Sequence, residues 1–195
     1  MKRIAIFASG SGTNAEIICE NFINDPNIKV ATIVVNRKDA GVIERTKRFG
    51  IPTLYYPKQE WQSESSGGNN GLNVLKALQD INIDWIVLAG FLSIIPEQII
   101  ETYNGRIINI HPSLLPKYGG QGMWGHHVHE AVWANHETET GITIHQVSNK
   151  IDGGEILFQA KCEITSDDTP TTIASKVHQL EYEHYSKVIR SLIEK

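Results

Sequence analysis

Apolar residues in this chain fall into two patterns, and the two alternate. Short unbroken runs such as Ile4-Ala5-Ile6-Phe7 read as strands buried on both faces. Between them lie segments whose apolar positions recur every three or four residues, the spacing of one helix face. The predicted strands cover 3–8, 28–35, 53–56, 84–90, 106–110, 141–147 and 155–163. The predicted helices cover 15–22, 42–49, 72–81, 96–102, 126–135 and 171–193. Ile17, Ile18 and Phe22 are expected to face inward from the first helix, and in the third Leu72, Leu75, Leu78 and Ile81 recur at spacings of three. In the last helix the expected stripe is Ile173, Val177, Leu180, Val188 and Leu192. Pro96 suits a helix N-terminus, where its fixed φ and missing N–H do no harm.

Alternation of strand and helix predicts right-handed βαβ units. The expected class is α/β, with a mostly parallel central sheet and helices on both faces. The strand at 84–90 is expected at its centre. One domain is expected over 1–195, with an N-terminal half of about 1–100 and a C-terminal half of about 101–195. Residues 63–71, SESSGGNNG, form the one low-complexity stretch and read as a flexible loop.

The composition narrows the function. Of 195 residues, 41% are hydrophobic and 21% charged, which excludes wholesale disorder and fibrous repeats. The net charge of -4 does not suit a nucleic-acid backbone or an anionic membrane surface, though it leaves room for a pocket that takes one small phosphate. Cys19 and Cys162 cannot build a disulfide framework and read as buried free thiols in a reducing compartment. The apolar stretch at 85–92 is too short to span a bilayer, and the one after Lys2-Arg3 stops too early for a signal peptide. The cytoplasm is the expected location.

Three places could carry chemistry. The first strand runs into Ser9-Gly10-Ser11-Gly12-Thr13-Asn14 at the start of a helix. Free N–H groups and the helix dipole there favour an anion, most naturally phosphate. The turn is neither a dinucleotide fingerprint nor a P-loop, so a tight strand–helix turn stands as the other reading. The second place is Asn109 and His111, two residues apart at a strand end and so on one face. An amide donor beside an imidazole could stabilise an oxyanion and move a proton; a core histidine is the alternative. The third is Asp152 before Gly153-Gly154, either a common turn or a carboxylate that orients and charges the histidine. His126, His127 and His129 bring a metal to mind, but only His126 and His129 are expected to share a helix face, so no metal is expected. His136 and His145 read as structural or solvated. Trp85 and Trp133 are expected in the core, and Trp61 and Trp124 at the surface or facing a ligand.

Taken together, SGSGTN at 9–14, VLAGFLSIIP at 87–96, INIHPSLLPKYGG at 108–120 and IDGGEILFQA at 151–160 resemble the phosphoribosylglycinamide formyltransferases, within the wider formyltransferase superfamily. The resemblance runs over about residues 2–193. It implies a Rossmann-like formyltransferase fold with a nucleotide-binding half followed by a folate-binding half. It implies 10-formyltetrahydrofolate as formyl donor and cosubstrate, with no tightly bound cofactor and no metal. The acceptor would be the amine of 5-phosphoribosylglycinamide, in a step of de novo purine biosynthesis. By the same resemblance Asn109, His111 and Asp152 are the catalytic trio. Gly12, Thr13, Asn14 and Glu181 contact the acceptor, and Leu92, Ser93, Ile94 and Ile95, with Asn109, serve the folate. Asp152 is then expected to raise the pKa of His111. Partners are expected to be these small molecules alone, acting on a monomer or homodimer.

The chain departs from the family pattern in three places. Ser93 stands where many members carry an arginine. Residues 63–71 fall where others have a folate-reaching arginine, for which no equivalent is assigned. Residues 118–125 are longer and richer in glycine than the family's short loop, which fits either a lid or a longer loop. The length leaves no expected room for the added domain of the tRNA-directed enzymes or the regulatory domain of the deformylases. A formyltetrahydrofolate deformylase, an amino-sugar formyltransferase and a Rossmann-like nucleotide-binding regulator remain the competing readings.

Overall fold

The computed structural model describes residues 1–62 and 67–195. Among the described residues there are seven strands: β1 (Lys2–Ala8), β2 (Ile28–Val35), β3 (Thr53–Tyr55), β4 (Trp85–Leu88), β5 (Ile107–His111), β6 (Glu139–Gln146) and β7 (Ile156–Glu163). The α-helices among the described residues are α1 (Thr13–Phe22), α2 (Val42–Thr46), α3 (Leu72–Asp80), α4 (Glu97–Thr102), α5 (His126–Ala134) and α6 (Pro170–Ile193). The strand order is β3-β2-β1-β4-β5-β6-β7. β1 pairs in parallel with β2 and β4, and β2 with β3, whereas β6 and β7 are antiparallel. The chain is therefore α/β with a mostly parallel sheet, as expected. The chain forms two compact units, Met1–Ile108 with Leu192–Lys195, and Asn109–Ser191. The boundary falls within β5.

In the first unit, Ile4 to Ala8 of β1 are wholly buried, as a strand covered on both faces must be. Phe7 meets the rings of Trp61 and Phe91 edge-on at 5.7 and 5.3 Å. Trp61 is thus a core residue, contrary to expectation, and its indole N–H donates to the Tyr56 carbonyl at 3.0 Å. Burying such rings stabilises the unit by roughly 2–3 kcal/mol each. The expected loop at 63–71 lies partly outside the described residues. The backbone N–H groups of Asn69 and Asn70 donate back to the carbonyls of Gln59 and Gln62.

Helix faces differ in detail from the expected stripes. α1 buries Ala15, Ile18, Cys19 and Phe22, while Ile17 is only half-buried. α3 buries Val74 and Leu78, four apart, and leaves Leu72 exposed. A strict spacing of three drifts around a helix of 3.6 residues per turn, so the 72-75-78-81 row cannot stay on one face. α6 buries Ile173, Val177, Glu181, Tyr185 and Ile189, a row of fours, with Leu180, Val188 and Leu192 half-buried beside it. Trp133 is about half exposed, not core, because α5 turns Val128 and Val132 inward and Trp133 lies a quarter-turn away. Trp85 is half-buried rather than core and Trp124 is exposed. Cys19 is buried and Cys162 half-buried, both as free thiols. No helix among the described residues is long and apolar enough to cross a membrane.

In the second unit, β6 and β7 meet so closely at Gly141 that an added Cβ would lie 1.9 Å from the Ala160 carbonyl oxygen. Gly10, by contrast, has nothing within 4 Å of where a Cβ would stand. Gly141→Ala should therefore lower unfolding stability by about 2 kcal/mol or more, and Gly10→Ala should change it by less than about 0.5 kcal/mol. Urea denaturation of the two variants beside the parent checks this, and equal midpoints would refute it.

Candidate active site

β5 ends on Asn109 and His111. Alternation along the strand sends both side chains to one face. The chain then turns through Pro112 to Pro116, and this turn is clamped from β6 and β7. The Thr143 hydroxyl donates to the Ser113 carbonyl at 2.7 Å and accepts from the Leu115 N–H at 2.9 Å and the Gln159 amide at 2.8 Å. One donor and two acceptor sites are then all in use, so the hydroxyl is saturated. Leu115–Pro116 is a cis peptide.

His111 is buried, and its Nε2–H donates to the Tyr118 carbonyl at 2.7 Å. That leaves Nδ1 facing Asp152 Oδ2 at 3.6 Å. The separation is too long for a hydrogen bond, so Asp152 acts on the ring through charge. Asp152 sits at φ 51, a left-handed position that Asp tolerates better than most residues. Gly154 is forced there, since a Cβ would meet the Gln146 carbonyl oxygen at 1.8 Å. On the other side the Gly120 N–H donates to Asp152 Oδ2 at 2.9 Å. Gly119 allows that approach, because a Cβ would lie 2.4 Å from Leu115 Cδ2.

A residue missed in the sequence completes the cluster. His145 of β6 was expected to be structural or solvated. Its Nδ1–H donates to the Gln146 carbonyl at 2.8 Å, which leaves Nε2 to accept from the Asn109 amide at 3.2 Å. The same Nε2 lies 3.6 Å from Asp152 Oδ1. The available signal was Thr143 and His145, polar residues two apart inside an apolar strand, the same pattern as Asn109 and His111.

The electrostatics correct one expectation. Burial pulls the His111 imidazole down, and this outweighs the raising effects of the Asp152 charge and the Tyr118 carbonyl; His145 lowers it further. The net direction is downward, not upward, because desolvation penalises the charged ring more than one carboxylate at 3.6 Å repays. Burial pushes Asp152 up, but His145, the His111 charge and the Gly120 N–H together hold it below the usual carboxylate range.

The other predicted residues are spread over both units. In the first, Gly12 caps α1 at φ 81 with no side-chain cap hydrogen bond, and a Cβ would strike Val42 Cβ at 2.4 Å. Thr13 and Asn14 are half-buried in the opening turn of α1. The Arg45 guanidinium donates to the Ser11 carbonyl at 3.0 Å and pairs with Glu16, bracing the turn. Leu92 and Ile94 are exposed, whereas Ile95 lies in the core. The Leu92 N–H donates to Ser9 Oγ at 2.9 Å, and Ser93 Oγ accepts from the Asn36 amide at 2.8 Å. In the second unit Glu181 is buried on α6, and its charge helps burial raise the Tyr185 phenol. Of the three clustered histidines, His129 is buried with no hydrogen-bond partner on Nδ1 among the described residues, while His126 and His127 are exposed.

Comparisons with known proteins agree over nearly the whole chain. The profile of the Formyl transferase family matches residues 2–189. The curated phosphoribosylglycinamide formyltransferase of Bacillus subtilis is 33% identical over 194 residues, covering 99% of this chain and 95% of that protein. The chloroplastic enzyme of Arabidopsis thaliana is 36% identical, and that of Vigna unguiculata 34%. The chain spans 66% and 61% of the lengths of these two plant proteins. A solved phosphoribosylglycinamide formyltransferase from Bacillus halodurans superposes with a TM-score of 0.87 at 35% identity, over 100% of this chain and 96% of that one. One from Symbiobacterium toebii gives 0.89 at 28% identity, over 100% of this chain and 88% of that one.

His129 sets a pH limit on stability. Burial, then the neighbouring His178, His111 and His126, lower its pKa from 6.5 to about 4. Its neutral form is favoured by folding, so this contribution is complete above the unfolded value near 6.5 and is lost as pH falls toward about 4. The loss amounts to at most about 3 kcal/mol. Chemical denaturation of the parent and of His129→Gln between neutral pH and pH 4 should show a flatter acid dependence in the variant. Parallel curves would rule the assignment out.

Proposed function

The chain belongs to the formyl transferase family, and from that premise we propose that it moves the formyl group of 10-formyltetrahydrofolate to the amine of 5-phosphoribosylglycinamide, a step of de novo purine biosynthesis. The observation that carries this reading is the cluster of Asn109, His111 and Asp152 beside the clamped turn, in a chain whose relatives are named for this reaction. No tightly bound cofactor enters the scheme; the folate is a cosubstrate.

The chemistry follows from the charges. The acceptor amine attacks the formyl carbon, a C–N bond forms and the carbonyl oxygen becomes an oxyanion. Asn109 is held by His145 and keeps a second amide N–H for that oxygen. Burial keeps His111 neutral near pH 7, so it can take the proton that the amine loses. The imidazolium then faces Asp152, which stabilises it, and the positive charge of the imidazolium in turn favours the oxyanion. As the bond to the folate nitrogen breaks, the same proton passes to that leaving nitrogen. Atoms and charge balance with no covalent enzyme intermediate. Holding the two reactants together supplies much of the remaining acceleration.

The substrate assignments rest on the same reading. Gly12, Thr13 and Asn14 take the phosphate at the opening of α1, and Glu181 contacts the acceptor. The exposed Leu92 and Ile94, anchored by Ile95 in the core, offer an apolar edge for the pterin, with the Ser93 side chain engaged by Asn36. The enzyme works on these small molecules without nucleic acid, as a monomer or homodimer, in the cytoplasm. The plant relatives named chloroplastic show that proteins so named occur in another compartment too.

Purified protein mixed with 10-formyltetrahydrofolate should release deformylated folate only when glycinamide ribonucleotide is present. Release without it would favour the deformylase, and no release would favour another acceptor or a binding protein. Asn109→Ala should lower kcat by roughly 10²–10³-fold, and His111→Ala by a similar factor or more. The pH profile of kcat/KM should show an acid limb centred below 6.5, the ordinary imidazole value, since that profile reports the free enzyme. A limb centred above that value would overturn the role given to a neutral His111.

A further inference from the structure

Three side chains at the start of α5 face one another and take no part in the chemistry above. His126, His127 and Glu130 are exposed, and one ligand atom from each lies within 4.8 Å of the other two. Helix geometry accounts for the place of the carboxylate. Glu130 follows His126 by four residues and His127 by three, so its carboxylate lies one turn on from both. His127 Nδ1 is 3.6 Å from Glu130 Oε2. The two imidazole centroids are 4.0 Å apart and the rings are tilted by 41°. Trp124 packs edge-on against both, at 5.9 and 4.8 Å. That contact needs the chain to double back, and Gly125 permits it at φ 54 and ψ -129, a conformation closed to most other residues. The sequence expectation paired His126 with His129 instead. In the structure His129 points into the core, and the partner of His126 is its neighbour.

We propose that His126, His127 and Glu130 form a binding site for a divalent transition cation of the zinc class. Two imidazole nitrogens and one carboxylate oxygen suit such an ion, with its remaining position open to water. The donor set does not suit magnesium or calcium, which prefer oxygen ligands alone. Bonds of about 2.0–2.1 Å place tetrahedral ligands about 3.3 Å apart. Small rotations of exposed side chains close the present spacing to that value, and Trp124 already restricts the two imidazoles. The positive end of the α5 dipole opposes a cation, so the site is one of moderate affinity. A cation here would fasten the far end of the same segment whose near end gives Tyr118 O to His111 and Gly120 N–H to Asp152.

The test is a titration of the untagged 195-residue protein with zinc chloride against a competing chromogenic chelator. The parent should bind one equivalent of zinc per chain. Glu130→Gln and His127→Asn should each weaken that binding by roughly tenfold or more, and a large excess of magnesium should not displace the zinc. The thermal unfolding of the metal-free variants should match that of the parent, because all three side chains are exposed. Zinc should raise the unfolding temperature of the parent alone. Equal zinc affinity in parent and variants would place the metal elsewhere and overturn the proposal, as would the absence of any binding by the parent.

Discussion

The hydrogen bond from His111 Nε2–H to the Tyr118 carbonyl is the constraint on which the proposed chemistry depends. It commits Nε2 to be the donor and so leaves Nδ1 as the site that gains or loses a proton. It also requires the chain after the cis Leu115–Pro116 peptide to return over the strand it has just left. The return is possible because Thr143 and Gln159 satisfy the turn's backbone groups, and because Gly119 has no side chain to collide with Leu115. Glu137 steadies the same residue from outside, accepting from the Tyr118 hydroxyl and pairing with Lys117.

Once the backbone is so placed, the ionisation of the cluster follows from competition between burial and charge. A carboxylate held 3.6 Å away attracts an imidazolium, but burial of the ring is the larger effect. His111 is therefore neutral more readily than a histidine in water. Asp152 keeps its charge because two imidazoles and a backbone N–H face it. This combination, a neutral base beside a persistent anion, suits a proton that must be taken up and then given back. A histidine already protonated in the resting state would have to lose its proton first.

Much of this was legible in the sequence, and the failures share a cause. Strands such as β1 and β2 are apolar without interruption, so their position in the sheet interior could be read directly. The spacing of Asn109 and His111, two residues apart in a strand, by itself puts them on one face. Tertiary packing decided the rest. Trp61 is buried because Phe7 and Phe91 stand over it, and nothing near residue 61 in the sequence says so. Leu72 is exposed because Val74 and Leu78 fix which side of α3 turns inward. The direction of the His111 shift needed the depth of its burial, which one residue's neighbours in sequence cannot give. A single histidine in a strand, such as His145, reads as structural from sequence; its meaning comes from Asn109, thirty-six residues away.

The glycine-rich segment at 118–125 gains a physical reading from these contacts. Its glycines are not interchangeable. Gly119 is required by a close approach, and Gly120, at φ 93, turns its N–H toward Asp152. Gly125, at the far end, folds Trp124 onto the histidines that open α5. The segment thus does one job at each end: at the start its backbone orders the ionisable pair, and at the finish it sets the geometry of an exposed imidazole cluster. Side chains at Gly119 or Gly125 would oppose those conformations, so the richness in glycine follows from two separate constraints rather than from a need for looseness.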